Sequence, residues 1–122
     1  MVLTVINSNW TGAGPRETFT ANETVFIGSG ISLISTGDFV LLGSESNIAA
    51  VVSSGTTLYA NAGAINFNDV SKSNRSIEIE QGAVVSSNFY AVSISGNNFN
   101  IENAGQISGR SFGIITEMNN AT

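Results

Sequence analysis

The chain has no cysteine and no histidine among its 122 residues. The first absence removes disulfides, zinc–thiolate centres and thiol nucleophiles. The second removes the commonest general base and the commonest metal ligand. Proline occurs once, as Pro15. A chain so poor in proline keeps nearly all its backbone N–H groups for a hydrogen-bond ladder. Charged residues make up only 11%, against about 25% in an ordinary soluble domain. The net charge is −5, and the four cations, Arg16, Lys72, Arg75 and Arg110, form no dense patch. Nucleic acid and anionic membrane are therefore poor partners. No apolar run approaches the roughly 18 residues of a membrane span, so no direct membrane insertion is expected. The opening "MVLTVINSNW" lacks the basic region and sustained apolar core of a signal peptide.

What is present points to an all-β chain. It is 42% hydrophobic, with seven Phe and 13 Gly, enough for one domain with a buried core. Val, Ile, Thr, Ser, Phe and Asn favour strands and turns over helices. Short strands are predicted at 2–6, 24–28, 31–34, 39–42, 48–52, 56–60, 64–67, 76–80, 83–86, 90–94, 99–102, 106–108 and 112–117, with Gly, Asn, Ser and Asp clusters between them. "SIEIE" at 76–80 and "YAVSIS" at 90–95 alternate strictly, the mark of a sheet with one buried face.

These strands repeat. Similar turns carry Gly30, Gly55, Gly82 and Gly105, which lie 25, 27 and 23 residues apart. Ten residues after each comes an aliphatic residue, Val40, Ile65, Val92 and Ile115, inside a second apolar stretch. A period near 25 built of three short strands predicts a right-handed parallel β-helix of about four coils, stacked roughly 4.8 Å apart. Val40, Ile65, Val92, Ile94 and Ile115 are then expected in the stacked core. Gly30, Gly55, Gly82 and Gly105 are expected at corners where φ is positive. Stacked asparagines, as at Asn97–Asn98 and Asn119–Asn120, are expected to form side-chain ladders.

Residues 1–23 do not follow this repeat and hold the only Trp and the only Pro. They are expected to form an N-terminal cap, with Trp10 covering the first coil of a β-helix spanning 24–122. The pattern breaks off mid-repeat at "MNNAT", so further coils are expected beyond Thr122. An open C-terminal end invites self-association by strand addition.

The run "IENAGQISGRSFGII" (101–115) resembles the I-x-N-x-G-x-I-S-G…G-I units of bacterial secreted β-helix proteins. Ile101, Asn103, Gly105, Ile107, Ser108, Gly109, Gly113 and Ile114 carry the match. Such proteins include autotransporter passengers, filamentous-haemagglutinin-like adhesins and repeat proteins exported by type I secretion. The match is clear over the last coil and degenerate over 24–98. The resemblance implies a bacterial extracellular or cell-surface protein with a structural or adhesive role and a carbohydrate or host-surface ligand.

Chemistry-bearing residues are sparse. The corner "NDVSKSNR" (68–75) groups Asp69, Lys72 and Arg75 in a candidate ligand-contact loop. β-helix polysaccharide lyases and epimerases pair acidic residues with Lys or Arg, and the start of such an enzyme is the alternative reading; a phage tail-fibre module is a third. Glu78 and Glu80 alternate outward, with Glu102 expected near Glu80 on the next coil. Paired carboxylates can serve glycoside hydrolysis, but an acidic stripe that keeps a sheet soluble explains them as well. Exposed Tyr59, Phe89 and Tyr90 could stack on sugars. Neither the glycine-rich calcium nonapeptide nor an EF-hand loop occurs. The expectation is a non-enzymatic module with no catalytic residue, metal or cofactor. Far-UV circular dichroism should show β-structure with almost no helix; a strongly helical spectrum would contradict this reading.

Overall fold

A computed structural model describes residues 2–117. The chain climbs through five coils of three strands each. The first holds β1 (Val2–Ile6), β2 (Trp10–Gly12) and β3 (Glu17–Thr18). The second holds β4 (Glu23–Ile27), β5 (Ser32–Ser35) and β6 (Phe39–Gly43). The third holds β7 (Ile48–Val52), β8 (Thr57–Ala60) and β9 (Gly63–Phe67). The fourth holds β10 (Ser73–Ile79), β11 (Val84–Ser87) and β12 (Tyr90–Ser95), and the fifth β13 (Asn97–Asn103), β14 (Gln106–Gly109) and β15 (Phe112–Glu117). Every strand pairs in parallel with its equivalent one coil away, which gives three five-stranded sheets: β1-β4-β7-β10-β13, β2-β5-β8-β11-β14 and β3-β6-β9-β12-β15. The fold is an all-β parallel solenoid.

Parallel pairing in register stacks like positions into columns. In the first sheet Ile6, Ile27, Val52 and Ile79 form one inward column, and Val25, Ala50, Ile77 and Ile101 another. The second sheet contributes Trp10, Leu33, Leu58, Val85 and Ile107. The third contributes Leu41, Ile65, Val92 and Ile114. The middle members of these columns are almost completely buried. Burying each such aliphatic side chain stabilises by about 1.5–3 kcal/mol before entropy is counted.

Residues 2–22 follow the coil geometry of the rest of the chain. β1, β2 and β3 pair in register with β4, β5 and β6, so this segment is itself the first coil, and the solenoid has about five coils where four were expected. The repeat was hidden because β2 and β3 are only three and two residues long. Trp10 nonetheless lies at the end of the stack. It pairs with the buried Leu33, packs half-buried against the core and folds its ring over Gly12.

Val40 lies in the core as expected, but its column differs, and one core assignment, Ile115, shifts by one residue. Leu41, not Val40, stacks on Ile65; Val40 is fully buried beside it, in the column of Ala64 and Ala91. Ile114 stacks on Val92 at the end of its column, where it is 45% exposed, and Ile115 pairs with Ser93 and is half-buried. By register Ile115 therefore stands outside the column of Leu41, Ile65 and Val92. Ile65, Val92 and Ile94 are each fully buried.

Corners carry two ladders. Gly30, Gly55 and Gly82 stack with φ of 73°, 75° and 87°, the left-handed conformation that a Cβ disfavours. Gly105 is different: its φ is not positive, and a Cβ there would press on the carbonyl oxygens of Ala83 and Glu80. At the corner entering the first sheet, Asn22, Asn47, Asn74 and Asn98 all take positive φ, between 51° and 64°. Asn47 Nδ2 donates to Asn22 Oδ1 (3.0 Å), and Asn74 Nδ2 donates to Asn47 Oδ1 (2.9 Å). Asn98 shares the left-handed backbone of this file, and Asn97 is its neighbour in β13; Asn119 and Asn120 lie outside the described residues.

Gly43 is required for the space it leaves to side chains. Gly43 lies in register between Phe19 and Phe67, two coils apart, whose rings meet edge-to-face over it at 5.0 Å and 79°. A Cβ at Gly43 would come within 2.5 Å of Ile48 Cδ1 and 2.9 Å of Phe67 Cδ1. Gly43→Val should therefore lower stability by about 1–3 kcal/mol through overpacking. Gly14→Ala, where a Cβ meets nothing within 4 Å, should change little. Urea unfolding of both variants checks the contrast.

Candidate functional site

The corner between β9 and β10 is the most elaborate of those leading into the first sheet. Asp69, at a φ of 79°, closes it on itself: its Oδ1 accepts from the Ser71 hydroxyl (2.6 Å) and the Ser71 backbone N–H (3.1 Å). These two bonds, ahead of the charges of Lys72 and Arg75, hold the Asp69 carboxyl below the usual aspartate value. The Lys72 carbonyl accepts from Asn97 N–H (2.9 Å), which ties the loop to the coil above.

The expected trio of Asp69, Lys72 and Arg75 does not converge. Asp69 is exposed and Lys72 half-buried, but Arg75 is 1% exposed and points into the core. Its inward column runs Glu23, Ile48, Arg75, Phe99. Its Nε donates to the Glu45 carbonyl (3.0 Å) and its Nη1 to the Ser95 carbonyl (2.8 Å), so it cross-braces two corners. Burial pushes the Arg75 value down, against the opposing charges of Asp69 and Glu45. The cause lies in phase: β10 begins at Ser73, and residues 75, 77 and 79 alternate inward together. The sequence shows that alternation once the strand is extended upstream of Ser76.

The acidic residues sit differently from expectation too. Glu78 pairs with Glu102 across stacked strands, and Glu80 lies past the end of β10. Together with Gln81 and Asn103 they border an open depression of about 320 Å³ over Ile79. Glu80 Oε1 accepts from Ser54 N–H (3.2 Å), and Glu102 Oε1 accepts from Asn100 Nδ2 (3.2 Å). No cation among the described residues lines this depression. Among the described residues, no group of His, Cys, Asp or Glu is arranged to hold a metal ion.

An aromatic corner was less visible in the sequence. Phe89 (46% exposed) and Phe112 (50%) stand on the edge between the second and third sheets of the last two coils. Phe89 meets Tyr90 edge-to-face at 5.4 Å and Phe112 at 5.8 Å. Tyr90 packs over Gly63, and burial raises its phenol above the ordinary tyrosine value. Polar groups flank the rings: Asn88 Nδ2 donates to Asn61 Oδ1 (3.3 Å), and Arg110 Nη1 donates to Asn88 Oδ1 (3.5 Å). Tyr59 lies apart, half-buried on the outer face of the second sheet.

Two carboxyls near the first coils form a second buried polar feature. Glu23 (3% exposed) accepts hydrogen bonds from the Thr4 hydroxyl, Thr20 N–H (2.8 Å) and the Thr20 hydroxyl (3.3 Å). Burial opposes its ionisation, but these bonds outweigh burial and hold it below the usual glutamate value. Its neighbour Glu17 is pushed up, by burial first and by Glu23 second.

Comparison with known proteins gives no match for this chain, whether against family models, curated proteins or solved structures.

The two shifts have opposite linkage to pH. Glu23 favours the fold when ionised, so its contribution is present above the unfolded glutamate value and is lost as pH falls through its own lower value. Glu17 favours the fold when protonated, so its contribution is present in acid and is lost as pH rises through its own higher value. Thermal melts across the carboxylate range should show Glu23→Gln flattening the acid limb and Glu17→Gln flattening the limb on the neutral side. Identical pH profiles for wild type and both variants would remove this assignment.

Proposed function

We propose that the chain is a structural or adhesive β-solenoid module of a bacterial surface or secreted protein. The single observation that carries the reading is the separation of roles in the fold. In-register stacking makes three smooth sheets, while the irregular, polar and aromatic features gather at corners. A stack of this kind is a stiff support, and its corners are the places where contacts can be displayed without disturbing the core. The low charge, the resemblance of residues 101–115 to secreted repeat units and the expected extracellular location belong to the same proposal.

The contact surface we favour is the aromatic corner of Phe89 and Phe112 with Asn61, Asn88 and Arg110. Exposed rings beside amides and a guanidinium suit a carbohydrate, whose C–H faces stack on aromatics while its hydroxyls pair with the polar rim. A carbohydrate-active enzyme is not favoured, because the acidic depression has no cation to bind or activate a uronate and Arg75 is committed to the core. Binding to a panel of oligosaccharides, followed by titration calorimetry, tests the proposal. Phe89→Ala and Phe112→Ala should each weaken binding by at least about tenfold, the loss of one stacked contact. Asp69→Asn and Lys72→Ala should leave it unchanged. Binding that depends on the Asp69 loop and ignores the aromatics would overturn this placement.

A further inference from the structure

The outward face of the first sheet changes character along the stack. Its two columns run Leu3, Thr24, Ala49, Ser76, Asn100 and Val5, Phe26, Val51, Glu78, Glu102. Over the first three coils these positions are uncharged and, Thr24 apart, apolar; over the last two they are polar or acidic. Leu3 is 63% exposed, Val5 53% and Phe26 39%. The patch covers on the order of 300–400 Å², the size of a functional patch on a small monomer.

The patch is graded in size as well as polarity. Its large side chains lie on the first two coils (Leu3, Val5, Phe26), and the third coil carries Ala49 and Val51. This gradient complements its own reverse. When a second copy is turned over about an axis along the strands of the second coil, Leu3 of each copy faces Ala49 of the other. Val5 then faces Val51, and the two Phe26 side chains meet at the centre. The faces would sit about 10 Å apart, as packed sheets do. In this antiparallel arrangement the fourth and fifth coils overhang, so Glu78 and Glu102 meet no like charge. Turning the copy about the long axis of the stack would instead bring Glu78 and Glu102 of the two copies together, which like charge disfavours.

We propose that this face is a self-association surface on which a second copy of the chain packs antiparallel through the first three coils. The covered area falls short of the ~800 Å² per partner of a stable complex, so the dimer is weak and concentration-dependent.

Sedimentation equilibrium over a range of concentrations tests the proposal. Wild type should pass from monomer to dimer. Phe26→Glu should weaken the dimer by about a hundredfold, since it sets two like charges face to face. Val5→Ser should weaken it less, and Ile34→Glu, on the outer face of the second sheet, should leave it unchanged. Circular dichroism should be the same for all these outward-facing variants; should Phe26→Glu misfold, Val5→Ser carries the test. Orientation is read by cross-linking, because the chain has no cysteine of its own. Thr24→Cys should be joined into a dimer by a short bis-maleimide, and Asn100→Cys should not. A chain that stays monomeric, a dimer indifferent to both Phe26→Glu and Val5→Ser, or preferential cross-linking of Asn100→Cys would each overturn the proposal.

Discussion

Parallel pairing between equivalent strands of successive coils imposes one condition on everything else: what happens in one coil must be geometrically acceptable to the coils above and below. Corners must repeat, because a corner that wandered would carry the next strand out of register. This is why left-handed residues recur in file, as glycine at Gly30, Gly55 and Gly82 and as asparagine at Asn22, Asn47, Asn74 and Asn98. Asparagine does a second job that glycine cannot. The Asn47 amide donates to Asn22 on one side and accepts from Asn74 on the other, so a backbone requirement becomes a chain of hydrogen bonds over three coils.

The same condition governs side chains. A column position must suit two neighbours, and an oversized residue is accommodated only where an adjacent coil gives way. Phe19 and Phe67 are both large because Gly43 between them is nothing but backbone. Tyr90 leans into the space left by Gly63 in the same manner. Charged side chains enter the columns only with partners. Glu23 has two threonines to donate to it, and Arg75 reaches two corner carbonyls. Burying a charge is costly, and these groups contribute fixed positions for the corners they touch.

The architecture was legible in the sequence because it is periodic. The glycine spacing revealed the coil length, and strands such as β1, β7 and β15 fall where apolar alternation predicts them. Register was harder, since an error of one residue reverses the face. Counting a fixed interval from each glycine put Val40 and Ile115 in columns that belong to Leu41 and Ile114, because the intervening corners differ in length. Aligning on Asn22, Asn47, Asn74 and Asn98 would have given the register of the first sheet directly, since Glu23, Ile48, Arg75 and Phe99 each follow at once. The site residues were the least legible. Arg75 reads as a loop cation because it precedes the apolar alternation of 76–80, although the strand itself begins at Ser73. The pairing of Glu78 with Glu102 depended on the same register. The aromatic corner joins residues from two coils, which composition alone could not bring together.

Stacking also sets how the chain trades length for stiffness. Each coil takes about 25 residues and adds roughly 4.8 Å of height, so extension costs some five residues per ångström. An α-helix covers 1.5 Å with a single residue. A solenoid is thus a poor way to reach far and an effective way to resist bending, because any bend must open hydrogen bonds along one of three sheets. Its growth is also stepwise. Adding one coil advances the end by one fixed increment and carries every corner along with it. Surface features on such a body occupy a lattice of preset heights, and two features on the same edge differ in height by whole numbers of coils.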